Sequence, residues 1–259
     1  MMTNSEIFEI AVRQSATDLS CEPTDLTGKK NKTVISKKNG GERKYLELPF
    51  ICDIVSYGGN AVASTSEEHA DAVNNYINSY PAEHLFETPN MHVLNDYFEK
   101  RGARVCFMAE YFLPDVEKVR VLPCGYETKL LYQRDFEGLY LPEWSNALCK
   151  KRKELDVLGV GAYDGRKLVG FAGCSADCEL MWQIGIDVLP QYRRQGIASA
   201  LTSRLAYEVL ERGKVPFYCA AWSNIPSVRN AIRSGFRPAW AEMTVKPREF
   251  TDRMNTDSE

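Results

Sequence analysis

Histidine is scarce in this chain: three in 259 residues, at positions 69, 84 and 92, all in the first half. A histidine-centred triad therefore lacks its base across the C-terminal half. Zinc-site spacing is missing too. Cys174 and Cys178 are the one close cysteine pair, with three residues between them and neither a second thiol pair nor a histidine nearby, so no tetrahedral ligand set is spelled out. The other six cysteines are dispersed, most in apolar runs, which favours reduced core thiols in a cytoplasmic protein over a disulfide scaffold. No stretch approaches the ~20 apolar residues that span a bilayer, and the N-terminus, with Glu6, Glu9 and Asp18, has no signal-peptide core. Excess positive charge is absent: 32 basic residues face 35 acidic ones, for a net −3. Nothing in that balance pulls on a polyanion. The expected partners include neither nucleic acid nor membrane, and spacing shows no internal repeat.

What the chain does have is a 44% hydrophobic content, enough for a sizeable core without staples. A helix is expected over 5–19, a lysine-rich loop or short hairpin over 24–43, a strand within 45–57 and a short one at 61–64. Helices follow at 67–79, after a Thr65–Ser66 cap signal, and at 90–101, ended by Gly102. Strands are expected at 105–113, 118–125 and 129–134, and a helix at 141–151. Asp164–Gly165 is a tight-turn dipeptide joining strands 157–163 and 167–172 into a hairpin. An apolar run at 180–189 then reads as a buried strand. Ile197, Leu201, Leu205 and Val209 recur every four residues in the following helix, which Gly213 caps. Strand 216–221, a proline-started helix 226–234 and strand 236–245 close the order β-β-β-α-β-α-β, with a charged, frayed tail after Pro247. The fold class is α/β: a mixed central sheet flanked by helices, with an additional N-terminal α/β domain. The expected division is 1–120, 121–250 and a 251–259 tail.

Strand 180–189, the turn at Arg193–Ala198 and the next helix form one unit. A strand, a glycine-containing turn and a helix N-terminus aim unpaired N–H groups and the positive end of the helix dipole at one point, which suits phosphate. The bland alternative is a tight turn with solvated arginines.

The segment Val188–Ala198, VLPQYRRQGIA, resembles the acetyl-coenzyme A motif of the GCN5-related N-acetyltransferase superfamily, [Arg/Gln]-x-x-Gly-x-[Gly/Ala], at Arg193, Gly196 and Ala198. Asn224, twelve residues before Phe236 in Gly235–Phe236, resembles the same superfamily's Asn…Gly-Phe signature, and the Asp164–Gly165 hairpin resembles its central hairpin. Together they cover about 125–246. The upstream half resembles, more weakly, that of an N-terminally extended subgroup that includes antibiotic-inactivating enzymes.

The resemblance implies acetyl-CoA as cosubstrate, a diphosphate cradle on the N–H groups of Arg194, Gln195, Gly196, Ile197 and Ala198 with Arg193 flanking, and a pantetheine arm along the backbone of Ile186, Asp187 and Val188. It puts Asn224 and Ser227 near the pantetheine or its sulfur. Asn224 is equally well explained as a helix cap before Pro226. Glu179 is the candidate base, although the family's usual position aligns with Trp182 and Glu179 also reads as a solvated strand end. Ala231 stands where many relatives carry a tyrosine that protonates the departing thiolate. Trp144, Trp182, Trp222, Trp240, Tyr132 and Tyr140 are candidates for an aromatic acceptor pocket, and the upstream region for one of its walls. The expected activity is acetyl transfer to a small-molecule amine by direct attack in a ternary complex. A noncatalytic CoA-binding module and a peptide or protein N-acetyltransferase are the alternatives, and a homodimer is the base-rate assembly.

Overall fold

The computed structural model describes residues 2–256. In chain order its regular elements are α1 (Asn4–Leu19), α2 (Pro23–Leu26), β1 (Lys32–Ile35), β2 (Cys52–Ser56), β3 (Val62–Thr65), α3 (Ala70–Ser79), α4 (Thr88–Glu99), β4 (Ala103–Pro114), β5 (Glu127–Tyr132), β6 (Asp156–Asp164), β7 (Lys167–Ser175), β8 (Met181–Val188), α5 (Ile197–Glu211), β9 (Val215–Ala221), α6 (Ile225–Arg233), β10 (Phe236–Pro247) and α7 (Arg248–Thr256). Strands and helices alternate as expected, with sheet and helices in both parts of the chain.

The chain divides into two compact units, one of Tyr111–Pro238 with the residues up to Ile10, the other of Ala11–Glu110 with the chain from Ala239 on. Neither is one continuous stretch, so a single cut near residue 120 does not describe the division. The reason lies in β10, whose later half pairs antiparallel with β2, from Ala241↔Ser56 to Val245↔Cys52.

In the second unit β3 pairs with β1 in parallel and with β2 antiparallel. Ile54, Ala63, Met243 and Val245 form its core with Val73, Ile77, Leu94 and Phe98 of α3 and α4. The other face of this sheet carries Arg43, which bridges Asp18 and, at 3.6 Å, Glu242.

In the first unit β5, β6, β7 and β8 form an antiparallel meander and β9 joins β8 in parallel. Val160, Ala162, Val169, Ala172 and Ile184 from the strands pack on Ile197, Leu201, Leu205 and Val209 of α5. That is the four-residue stripe visible in the sequence, buried as one face. On the opposite sheet face a smaller cluster joins Phe171 of β7 to Phe136, Trp144, Ala147 and Leu148.

Several local expectations fail for nonlocal reasons. The lysine-rich loop contains α2 and β1, and the strand expected within 45–57 shortens to β2. Residues 118–125 form no strand: Asp115 O accepts the amides of Lys118 and Val119, both at 2.8 Å, and winds the chain into a turn. The helix expected at 141–151 is broken into short turns, Pro142–Trp144 and then Lys150–Leu155, itself kinked at Arg152; between them the amides of Asn146 and Ala147 donate to the Asp187 carboxylate, that of Ala147 also to Trp144 O. The tail from Pro247 is not frayed over its described length. It is α7, tied down by Arg248 to Glu99 at 2.6 Å and Asp252 to Arg104 at 2.7 Å; residues 257–259 lie outside the described ones.

Candidate functional site

The site starts where two strands part. On one side β8 pairs with β7 from Gln183 to Val188. On the other it pairs with β9 only at Met181↔Val215, Trp182↔Pro216 and Gln183↔Phe217. Beyond that last rung the β9-facing edge of residues 184–188 has no strand partner among the described residues, leaving backbone donors and acceptors that an extended ligand can take up. At the crotch Gln183 Nε2 donates to Cys219 Sγ at 3.1 Å. Along the opening Trp182, Ile186 and Val188 of β8 and Val228 of α6 are only partly buried against the core, so the groove has an apolar lining.

The fork leads to the N-terminus of α5. The chain turns at Pro190–Tyr192, where Arg193 Nε donates to Val188 O at 3.0 Å and pins the turn to the strand end. Arg194 follows with φ 63° and Gly196 with φ 81°. A non-glycine residue in the left-handed region is strained and needs a reason. Gly196 is the N-cap of α5, without a side-chain cap, and the first helical hydrogen bond runs from Ala200 N to Gly196 O. Helix geometry then turns the N–H groups of Ile197, Ala198 and Ser199 out of the helix end, an anion-binding arrangement. Nothing lies within 4 Å of a Cβ built on Gly196. Glycine is thus required here for its dihedral, and the space above it is open for a ligand. Gln195 is steered by Tyr126, whose hydroxyl donates to Oε1 at 2.7 Å, and Tyr192 donates to Asp164 at 2.9 Å.

On the far side of the fork Asn224 caps α6, its Oδ1 accepting from Ser227 N at 3.2 Å, so the capping role is real. Ser227 Oγ is 2.7 Å from Tyr218 Oη. Tyr218 is the first β9 residue past the last rung with β8, and it is buried. Burial pushes its phenol up, the Ser227 and Asn230 side chains pull it back, and Cys219 and Asp187 add a further upward push. Asn230 in turn accepts from Ser199 Oγ at 3.1 Å and donates to Thr202 Oγ1 at 3.0 Å, so a polar thread links α5, α6 and β9. Ala231 is fully buried in the same core.

The structure thus brings Ile186, Asp187, Val188, Arg193, Arg194, Gln195, Gly196, Ile197 and Ala198 along one continuous groove edge, with Asn224 and Ser227 on the α6 side. Glu179 stands apart. It is exposed in the bend before β8, four residues short of the fork, or about 13 Å along an extended strand. The aromatic candidates do not gather: Trp144 is buried against Phe171, Trp222 is exposed, and Trp240 stacks on Tyr57 in the other unit. An open cavity of about 530 Å³, lined by Gln133, Glu137, Tyr140, Lys150, Lys153 and Glu154 among others, shares no residue with the fork. Sequence reading missed Tyr218 and Asn230. The available signal was a set of polar residues, Ser199, Thr202 and Ser203, interrupting the apolar stripe of α5.

A family model described as GNAT acetyltransferase matches residues 62–239, more than half of the chain. Similar solved structures include a GCN5-related N-acetyltransferase-like protein from Streptococcus suis, at 23% identity over 60% of this chain and 68% of that one, with a TM-score of 0.45. A GCN5-related N-acetyltransferase from Kribbella flavida is 14% identical over 60% of this chain and 62% of its own, with a TM-score of 0.46. A GNAT-family acetyltransferase from Colwellia psychrerythraea is 15% identical over 56% and 57%, with a TM-score of 0.42. The chain thus spans less than two thirds of the length of the Kribbella and Colwellia proteins. A search of curated proteins found no match.

Proposed function

Since the chain belongs to the GNAT acetyltransferase family, we propose that it moves an acetyl group from acetyl-CoA to the amine of a small molecule within a ternary complex. The observation that carries this reading is the fork: an unpaired β8 edge that runs directly into an uncapped, glycine-started helix N-terminus. Residues 194–198 hold the diphosphate by main-chain N–H groups, with the Arg194 guanidinium beside it. The free edge of 184–188 takes the pantetheine arm as an added strand, and a main-chain N–H there polarises the thioester carbonyl.

The amine arrives neutral and attacks the carbonyl carbon, and its proton leaves to water at the open end of the fork. As the tetrahedral intermediate collapses, the C–S bond breaks and its electron pair stays on sulfur. The Tyr218–Ser227 pair supplies the proton or hydrogen bond which that sulfur needs. In this reading Asn224 acts by holding the first turn of α6, and with it Ser227, in place. Glu179 is not used. A small acceptor is favoured over a peptide because the turn at 142–148 lies across β8 and occupies its other face.

Ala231 favours a second reading, a CoA-binding module without turnover. Incubation with acetyl-CoA and a panel of small amines, polyamines and N-terminal peptides separates the three. The enzyme releases free thiol only with particular small amines; peptide-only release supports a protein acetyltransferase. Calorimetric binding of CoA with no acceptor-dependent release across the panel overturns the enzyme reading.

A further inference from the structure

Asp187 faces two ways. Its main chain lies in the stretch of β8 that faces Phe171 of β7 on one side and is past the last rung with β9 on the other, while its side chain lies on the sheet face opposite α5, in line with Gly185 and Gln183. There the carboxylate takes three donors: Oδ2 accepts Asn146 N at 2.8 Å and Ala147 N at 3.1 Å, and Oδ1 accepts Asn146 Nδ2 at 2.6 Å. These are charge-assisted bonds, two of them to the main chain of a turn.

The contact is made closer by missing side chains. A Cβ on Gly185 would meet Asn146 O at 1.8 Å, and one on Gly173 would meet Ala147 O at 2.1 Å. The turn therefore rests on the bare backbone of β7 and β8. It is held from behind as well, because Trp144, Ala147 and Leu148 are buried with Phe136 and Phe171. Pro142, Glu143, Ser145 and Asn146 of this stretch are exposed. A carboxylate that merely capped a surface loop would need neither glycine. The combination of a bare-backbone seat and a threefold carboxylate clamp, on the strand that borders the fork, fixes the turn to the reaction site.

We infer that Asp187 is a positioning residue for the acyl acceptor, holding the 142–148 turn as the acceptor-side wall on the strand whose free edge seats the donor. The inference rests on the proposed function above. It also has a consequence that reading lacks. Ordering of β8 by the donor is transmitted through the Asp187 carboxylate to the amides of Asn146 and Ala147, so the acceptor wall tightens when the donor binds.

The test uses the full chain as wild type, Asp187→Ala and the milder Asp187→Asn, which keeps the shape and one acceptor oxygen. Three quantities are measured: the CoA Kd by calorimetry, hydrogen exchange of the 142–149 segment with and without CoA, and the steady-state split of KM and kcat for whichever panel amine is turned over. CoA affinity should fall by much less than the acceptor KM rises, since the substitution removes the clamp on the far face of the strand and leaves the main chain that lines the pantetheine edge. Wild-type exchange at 146 and 147 should slow on CoA binding, whereas in Asp187→Ala it is faster and no longer responds to CoA. The acceptor KM should rise about tenfold or more with kcat reduced by less than about threefold, and Asp187→Asn should fall between. Wild-type exchange indifferent to CoA overturns the coupling. An unchanged acceptor KM in both variants, or a parallel loss of CoA affinity and kcat, overturns the positioning role. Absence of CoA binding to the wild type is a different outcome, which removes the proposed function and this inference with it.

Discussion

Replacing Arg194 by glycine should raise or preserve stability while weakening CoA binding, two effects of opposite sign from one side chain. Arg194 is exposed, and its φ of 63° lies in the left-handed region. Holding a non-glycine residue there costs about 1–2 kcal/mol, and a glycine would lose about 0.5–1 kcal/mol through its greater freedom in the unfolded chain. The net expected change runs from near zero to about 1.5 kcal/mol of added stability. Among the described residues the guanidinium has no hydrogen bond or ion pair, so removing it breaks nothing in the free protein. A bond between a charged donor and phosphate contributes about 1.5–3 kcal/mol, and solvent exposure lowers that to about 1–2 kcal/mol. At 1.4 kcal/mol per decade this is about five- to thirtyfold in Kd. Urea denaturation and calorimetric titration with CoA measure both sides, and a titration series in salt should show a shallower dependence for the variant. A variant that loses more than about 1 kcal/mol of stability and binds CoA unchanged would show that the strained arginine serves the fold and not the diphosphate.

Three further outcomes follow from the same geometry. Tyr218→Phe removes a hydroxyl bonded to Ser227 and should cost about 1 kcal/mol of stability, with turnover reduced about a hundredfold and CoA affinity nearly unchanged; equal turnover would take the Tyr218–Ser227 pair out of the chemistry. Glu179→Gln should leave the pH–rate profile where it is, because the carboxylate stands short of the fork; a displaced basic or acidic limb would restore it as the base. Burial, with Asp177 adding to it, pushes Asp156 from an ordinary 3.8 up to about 6, against the opposing pull of Cys149 N–H, the Tyr140 hydroxyl and Arg152. A carboxyl raised on folding favours the folded state while protonated, so its contribution is complete below about pH 4 and is lost as pH climbs through 6. Asp156→Asn should therefore match wild type near pH 4 and exceed it at pH 7 in chemical denaturation; a variant less stable at pH 7 would contradict that sign.

What could be read from the sequence was what the chain determines locally. The apolar run of β8, Pro190, Gly196 and the four-residue period of α5 lie within about thirty residues, and each states its own conformation. The turn and helix start proposed as the cradle were therefore legible down to their residues. The fork was not, because it depends on where the ladder between β8 and β9 stops, a register between strands separated by α5. Tyr218 consequently read as one more core residue of a strand. The 141–151 segment read as a helix because its own residues permit one. A competing acceptor, Asp187, lies forty residues further on; it takes the amide of Asn146 and shares that of Ala147 with Trp144 O. The charged composition after Pro247 likewise suggested fraying, since the partners of Arg248 and Asp252 are Glu99 and Arg104.

Ala231 and Tyr218 are better understood together than apart. Tyr218 lies between Phe112 and Phe236, with ring centroids at 6.4 and 6.2 Å, in the cluster that also buries Ala231 completely. A large aromatic at 231 would have to enter a core already filled by those three rings, and interiors packed to that density do not take an extra ring without displacing one. In the proposed function the hydroxyl therefore comes from the strand instead of the helix. Its placement follows from the fork itself: at the first β9 position past the last rung, a side chain on the α6 face reaches the opening that the parting strands create. The serine in the first turn of α6 then carries the hydrogen bond outward from the buried phenol. A small residue on the helix and a tyrosine at the crotch pack as two parts of one core, so the alanine alone does not decide between the enzyme and the CoA-binding module.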